Sequence, residues 1–194
     1  MPRAMLSRPL DDAESALQPQ RLVGLVPVVS PDTVVLVLGS FPGAASLRAR
    51  QYYAHPQNQF WRMLQTLWPD KPIPPPEAYD LRCAWLLRRG LGLWDVYASC
   101  ERQGSLDAAI RQAQVNDFGQ LARYCPRVKA VAHNGAESHK HAHEVLAAWA
   151  CCGSDGAAVP ESVKLPSTSP ANASWSFDRK RAAWAALMAG HGLL

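Results

Sequence analysis

Thr33-Val-Val-Leu-Val-Leu38 is a six-residue apolar run, rich in β-branched residues, that ends at Gly39. A run this short, closed by glycine, predicts a strand covered on both faces. Gly39-Ser-Phe-Pro-Gly43 then forms a tight loop at that strand's C-terminal end. Downstream the apolar period changes. Phe60, Trp61, Leu64, Leu67 and Trp68 fall on one helical face, and Pro56 suits the first helical position. Pro69 and the proline-rich stretch 71–76 end this helix. Residues 85–87 and 91–96 predict, between them, a helix end and a strand. The stretch from Leu106 to Tyr124 reads as helical, and Val128 to Ala132 as a strand. His133-Asn-Gly135 leads into a helix through Trp149, and a glycine-rich loop spans 152–161. Val163-Lys-Leu165 is the last short strand, followed by Pro166-Ser-Thr-Ser-Pro170. A closing helix from about Ser176 to Met188 places Phe177, Arg181, Trp184 and Met188 on one face.

Strands alternating with helices predict an α/β domain with a mainly parallel sheet. Ligands of such sheets bind beyond the carboxyl ends of the strands. That rule selects the loops Gly39–Gly43 and Pro166–Pro170. No internal repeat is present. Residues 1–20, with scattered charges and three prolines, read as a tail or edge segment. Residues 21–194 read as one domain.

Nearly half of the 194 residues are apolar, enough for a sizeable core, and the formal net charge is +4. That balance permits a polyanionic partner without demanding one. The five cysteines are odd in number and form no CxxC pair. A disulfide framework is therefore disfavoured and a reducing, cytoplasmic setting expected. No signal-peptide core and no run of about 18 apolar residues appears, so no membrane partner is expected.

The two loops combine small residues with proline. Small residues allow close backbone approach, and proline stiffens the turn. Neither 39–62 nor 165–173 contains an Asp or Glu. An acid-free mouth with Ser40, Ser46, Arg48, Arg50, Gln51, Asn58, Ser167, Thr168, Ser169 and Asn172 suits a phosphate backbone. Tyr52 and Tyr53 offer flat surfaces for a base. Each piece has a plainer reading too. The first loop alone is a common strand-to-helix turn, Asn58 alone is a helix-start residue, and the tyrosines alone are core or rim. Arg179, Lys180 and Arg181 sit where cations oppose the helix dipole. Either a DNA phosphate lies nearby, or this is a solvated basic face.

Other constellations carry less. His139 and His143 lie at i, i+4, a spacing that can bind zinc, but no third strong ligand follows at standard spacing. No Gly-Lys-Ser/Thr follows Gly43, which excludes a nucleotide phosphate loop. No Gly-x-Ser-x-Gly elbow is present, which disfavours a hydrolase triad. No metal and no cofactor is called for.

Taken as a set, Gly39-Ser-Phe-Pro-Gly43, Ser46-Leu47 and Gln51-Tyr-Tyr-Ala-His-Pro-Gln-Asn-Gln-Phe-Trp61 resemble the first block of the hypoxanthine-DNA glycosylase family. Leu165-Pro-Ser-Thr-Ser-Pro-Ala-Asn172 resembles its second block, and Gly92-Leu-Trp-Asp-Val96 is similar to the same group. The family lies within the uracil-DNA glycosylase superfamily. The resemblance implies a three-layer α/β/α sandwich around a short, four-stranded, mainly parallel sheet. It implies a DNA partner carrying a deaminated base, with hypoxanthine first and uracil or xanthine behind.

Related mismatch-specific uracil glycosylases carry a catalytic Asn inside the first loop, where this chain has Phe41. The hypoxanthine family is similar to this chain there, and its catalytic Asn matches Asn58. The resemblance implies the catalytic role of Asn58, and the other roles are read from the residues themselves. Asn58 orients a water on the sugar, Tyr53 stacks on the flipped base, and backbone around Ser40 and Phe41 reads its edge. Ser167 stabilises the leaving base. Ser46, Arg48, Ser169, Asn172, Arg179 and Lys180 meet the DNA backbone. Asp95, the only carboxylate in a matched segment, is expected to cap or brace a loop, with a catalytic role as the alternative. No lysine lies in either loop, which disfavours lyase chemistry, although Lys164 is adjacent. A lesion binder that does not cut and a small-molecule α/β hydrolase or transferase are the rival readings. A monomer is expected.

Overall fold

A computed structural model describes residues 21–152 and 158–194. The expected tail, 1–20, and residues 153–157 of the loop expected at 152–161 lie outside the described residues. Arg21–Val23 forms β1, and Val35–Gly39 forms β2. After β2 come α1 (Ala44–Ala49), α2 (Phe60–Leu67) and α3 (Tyr79–Leu87). Then follow β3 (Leu91–Asp95), β4 (Tyr97–Glu101), β5 (Arg111–Val115) and α4 (Phe118–Tyr124). The chain closes with β6 (Ala130–Asn134), α5 (Ala136–His139), α6 (Ala142–Cys152), β7 (Glu161–Leu165) and α7 (Phe177–Gly190).

The main sheet runs β3-β2-β6-β7 and is parallel throughout. Residues 35 to 38 of β2 are fully buried, as their unbroken apolar run requires of a central strand. Because side chains alternate across a strand, β2 feeds two cores. Val35 and Val37 pack with Phe60, Met63 and Leu64 of α2 and Trp184 and Met188 of α7. Leu36 and Leu38 pack with Phe118 and Leu121 of α4 and Val145 and Trp149 of α6. Helices thus cover both faces, and the three-layer α/β/α arrangement holds. The chain leaves β2 toward β3 on one side and leaves β6 toward β7 on the other. The switch point lies between β2 and β6, where α/β sheets open a crevice.

Four expectations need correction. The stretch 106–124 is helical only in a 3-10 turn at Asp107–Ala109 and in α4. Between them, β5 joins β4 and β1 in a small antiparallel sheet. All five β5 residues are exposed, so backbone pairing holds this strand rather than an apolar face. Second, α2 begins at Phe60, not at Pro56. A turn closed by Asn58 N–H on His55 O (2.8 Å) occupies the residues between. Third, the helix expected from Gly135 through Trp149 divides into α5 and α6. Fourth, the inner face of α7 carries Phe177, Lys180, Trp184, Leu187 and Met188. Arg181 is exposed beside Asp178.

The start of α7 is capped as its sequence suggests. Ser176 Oγ accepts from Arg179 N–H at 3.3 Å, satisfying one of the helix's free donors. Ser176→Ala is therefore expected to cost about 1 kcal/mol. Urea unfolding of the two proteins measures it, and an unchanged midpoint would remove the cap's role.

Candidate active site

The first loop leaves β2 at Gly39 and is stapled down on one side. Val96 and Tyr97 donate backbone bonds to the carbonyls of Gly39 and Ser40. Ser40 Oγ donates to Asp107 Oδ1 at 2.6 Å, and Ala44 N–H donates to Ser105 Oγ. Arg102, itself buried, donates to the carbonyl of Pro42 and lies over the ring of Phe41. Phe41 is a buried wedge. These contacts correct the idea of an acid-free mouth: the carboxylates arrive from other segments, Asp107 on the Ser40 hydroxyl and Asp95 at the end of β3.

The loop between α1 and α2 presents the tyrosines. Arg50 and Tyr53 both take the left-handed conformation, which turns the chain sharply. Tyr53 stacks on Phe60, ring centroids 4.0 Å apart, so one of its faces is occupied. Ser46 is buried, and its Oγ accepts from Ala54 N–H. It braces this loop from inside, contrary to the phosphate contact expected of it.

One side chain joins the pieces. Asn134, at the C-terminal end of β6, donates through Nδ2 to Thr168 Oγ1 (2.9 Å) and to Tyr53 Oη (3.2 Å). Its Oδ1 accepts from Thr168 N–H at 2.9 Å. Gln59 N–H in turn donates to Thr168 O. The stretch 51–59 and the loop 166–170 therefore meet over β6, at the switch point of the sheet.

Lys180 is a second clasp. It is 1% exposed, and its Nζ donates to Gln59 Oε1 (3.1 Å) and to the carbonyl of Asn172 (2.8 Å). Burial lowers its pKa. An ammonium spent on internal carbonyl and amide oxygens is a strut, so the expected phosphate contact at Lys180 is corrected. Arg179 is exposed over Trp175, and Arg48 is exposed on α1.

The remaining expected residues take the following positions. Asn58 is half-buried, and its Oδ1 accepts from Phe60 N–H at 3.0 Å. That is the helix-start role, beside the Gln59–Thr168 junction. Ser167 Oγ accepts from Ser169 N–H, and Ser169 Oγ accepts from Ala171 N–H. Asn172 Nδ2 donates back to Ser167 O. These serines shape the second loop with their hydroxyls. Asp95 does not brace through its carboxylate. Its backbone carbonyl does so, accepting from Asn116 Nδ2. The carboxyl is buried at 4% exposure, with Oδ2 unpartnered. Burial pushes it up to about 7, against the neighbouring Tyr52 phenol and the Arg102 guanidinium, with Asp107 adding to the rise.

Asn134, Gln59 and Arg102 were not picked out from sequence. Asn134 carried a usable signal: a polar residue at a strand's carboxyl end, directly before glycine. One imidazole belongs to the site's own loop: His55 is exposed in the Asn58 turn, its Nδ1 accepting from Gln57 N–H at 3.2 Å. His133 is buried, its Nδ1 2.9 Å from Ser138 Oγ and its ring edge-on to His139. Burial lowers its pKa to about 4. Among the described residues, no group of three His, Cys, Asp or Glu side chains is placed to hold a metal ion. Nor is any described helix long and apolar enough to cross a membrane.

Comparison with known proteins returns one family model, the Uracil DNA glycosylase superfamily, matched over residues 26–188. A hypoxanthine DNA glycosylase of Methanosarcina barkeri is 38% identical over 120 residues, 61% of this chain and 73% of the relative. One of Methanosarcina acetivorans is 32% identical over 126 residues, with the same coverage. Among solved structures, the fold is similar to a solution NMR structure from Methanosarcina acetivorans, provisionally named a uracil DNA glycosylase. The TM-score is 0.69 at 28% identity, covering 87% of this chain and 97% of that one.

Proposed function

We propose a function from one premise: the chain belongs to the uracil-DNA glycosylase superfamily. It is a monofunctional DNA glycosylase that hydrolyses the N-glycosidic bond of a deaminated base, hypoxanthine first. The unit that does so is 21–194. The observation that carries this reading is the Asn134 clasp, which brings Tyr53, the Asn58 turn and the loop 166–170 together at the sheet's switch point. The relatives named hypoxanthine DNA glycosylase support the choice of base.

A base inside a duplex is out of reach, so the nucleotide flips into the crevice at a cost of roughly a few kcal/mol, less at a mispair. Phe60 occupies one face of Tyr53, so the base stacks on the other. Bond cleavage leaves an oxocarbenium-like sugar and an anionic base. Asn58 is no base in the acid–base sense. It holds the turn that seats Gln59 against Thr168, and a lone pair left on Oδ1 beyond the Phe60 bond can orient a water. Such positioning supplies much of the rate. Lys164 is exposed on β7 and belongs to neither loop, which favours hydrolysis over lyase chemistry. Arg48 and Arg179, both exposed, are assigned to flanking phosphates, with Ser169 and Asn172 shaping the loop beside them.

The test is base release from labelled duplexes holding one hypoxanthine or one uracil, with wild type and Asn58→Ala side by side. Wild type is expected to leave alkali-labile sites on the hypoxanthine duplex. Asn58→Ala is expected to slow that by about 100-fold. Binding without release on either duplex would replace this reading with a lesion binder. Salt-independent indifference to DNA would leave a small-molecule hydrolase.

A further inference from the structure

We infer that the Asp95 carboxylate takes the proton from the water that attacks the sugar. The inference rests on the glycosylase reading above and names the group that does its acid–base work. Among the buried and half-buried side chains Ser40, Phe41 and Asn58, none is free for that task, and His55 of the Asn58 turn is exposed with Nδ1 already accepting from Gln57 N–H. The Ser40 hydroxyl is committed to Asp107, Phe41 is a wedge, and Asn58 Oδ1 caps α2 and is a feeble base. Asp107 already accepts from Ser40.

Asp95 is placed differently. It ends β3 in register with Gly39, which ends β2. A side chain at position 39 would collide with Asp95 Oδ1, and its Cβ would lie 3.7 Å from the Tyr53 hydroxyl. The missing side chain of Gly39 thus makes room for the carboxyl itself, which packs against that residue beside the tyrosine assigned to the flipped base. Asp95 Oδ2 is buried with no partner. A buried acceptor without a donor destabilises the fold, more so when it is charged, and such orphans call for an explanation. A desolvated carboxylate is also a better proton acceptor than a solvated one.

The groups facing it from every side are Tyr52 and Tyr53 before α2, Tyr79 of α3, Arg102 after β4 and Asp107 of the 3-10 turn. All three phenols are raised well above their ordinary value, chiefly by burial, and none competes as a base near neutrality. In the step, the water oxygen bonds to the anomeric carbon as the bond from that carbon to the base nitrogen breaks. The bonding pair leaves with the base, and the water proton passes to Asp95. The base anion is then protonated by solvent, and Asp95 returns its proton to solvent. One water is consumed.

The experiment is single-turnover release from the hypoxanthine duplex across pH 5.5–8.5, roughly the span of a carboxyl poised near neutrality. It uses the full chain as wild type and as Asp95→Asn. The wild-type rate is expected to rise with pH to a plateau. Asp95→Asn is expected to lose about 100-fold or more at pH 8, to show no such rise, and to bind the duplex with unchanged affinity. A carbon-13 titration of the Asp95 carboxyl in the wild type should give the midpoint of the rate profile. This decides the matter even if the variant fails to fold. Midpoints that differ by more than about one pH unit, or a variant within about threefold of wild type, overturn the inference. A folded wild type that binds DNA but releases no base overturns the glycosylase reading, and this inference with it. A working wild type matched by Asp95→Asn removes only the role of Asp95.

Discussion

Asp95→Asn is expected to be more stable than the wild-type chain above pH 7 and to lose that advantage near pH 4. The carboxyl's pKa rises from 3.8 to about 7 because burial penalises its charge. Between those two values the folded protein holds a proton that the unfolded chain has released. The folded state therefore binds more protons, and stability falls as pH rises through the window. Below 3.8 both states are protonated and nothing is lost. Above 7 the loss is complete. A tenfold change in proton affinity is worth about 1.4 kcal/mol, so the full penalty is on the order of 4 kcal/mol. The amide has the same shape and never ionises, so it escapes the penalty. Urea unfolding of both proteins at pH 4 and pH 8 measures the difference directly. A variant less stable than wild type at pH 8 would mean that the native fold holds the carboxylate by strong donors, and would contradict its free Oδ2.

A penalty of that size is a large fraction of the total stability of a domain, typically about 5–15 kcal/mol. Nothing in the packing requires it, because an amide fits the same space. Groups kept at such cost are those whose replacement costs activity. The stability experiment and the rate experiment thus pull in opposite directions on one residue. An Asp95 that merely filled space would improve in the first and change nothing in the second.

How far the chain was legible depended on what each segment uses to hold itself. β2 was readable because a central parallel strand must be apolar at every position, and 34–38 is. The ends of α3 and α4 and the start of α7 were near their expected places because the 3.6-residue period marks them. β5 was misread because Arg111-Gln-Ala-Gln-Val115 packs on nothing apolar; its bonds to β4 are backbone bonds, which leave no side-chain signature. Pro56 was misread as a helix start because it is a good first-turn residue, but Asn58 and His55 build a turn that delays α2 to Phe60. The site divides in the same way. Its location followed from the carboxyl-end rule and from small, stiff loops. The roles of Ser46 and Lys180 did not, because hydroxyl and ammonium groups bond internal carbonyls as readily as phosphates, and only burial tells the two uses apart. Asn134 is an ordinary polar residue in sequence. It becomes the centre of the site only when β6 is set beside β2.

Asn134→Ala is for that reason expected to damage both stability and activity more than the loss of any loop hydroxyl. The amide's orientation is set by Thr168 N–H, which can only donate, so Oδ1 faces it and Nδ2 faces Thr168 Oγ1 and Tyr53 Oη. Thr168 has no exposed surface, and neither its N–H nor its hydroxyl can turn to water. Truncation leaves both without this partner, at roughly 1–3 kcal/mol for each buried group, so a loss of about 3 kcal/mol is expected. The loop 166–170 then keeps the Gln59 bond to Thr168 O, the Trp184 Nε1 bond to Pro166 O and, through Asn172, the Lys180 clasp. A shift of about 1 Å in such a loop costs roughly 100-fold in rate. Asn134→Asp separates the contributions. It can still accept from Thr168 N–H, but it offers no proton to Thr168 Oγ1 or Tyr53 Oη and adds charge to a half-buried site. Tyr53→Phe removes only the 3.2 Å bond and should lose about 1 kcal/mol. Urea unfolding and single-turnover base release on the three variants order them as Tyr53→Phe, then Asn134→Asp, then Asn134→Ala in increasing damage. Should Asn134→Ala unfold within about 1 kcal/mol of wild type and release base at the wild-type rate, the two loops are held together by something other than this clasp.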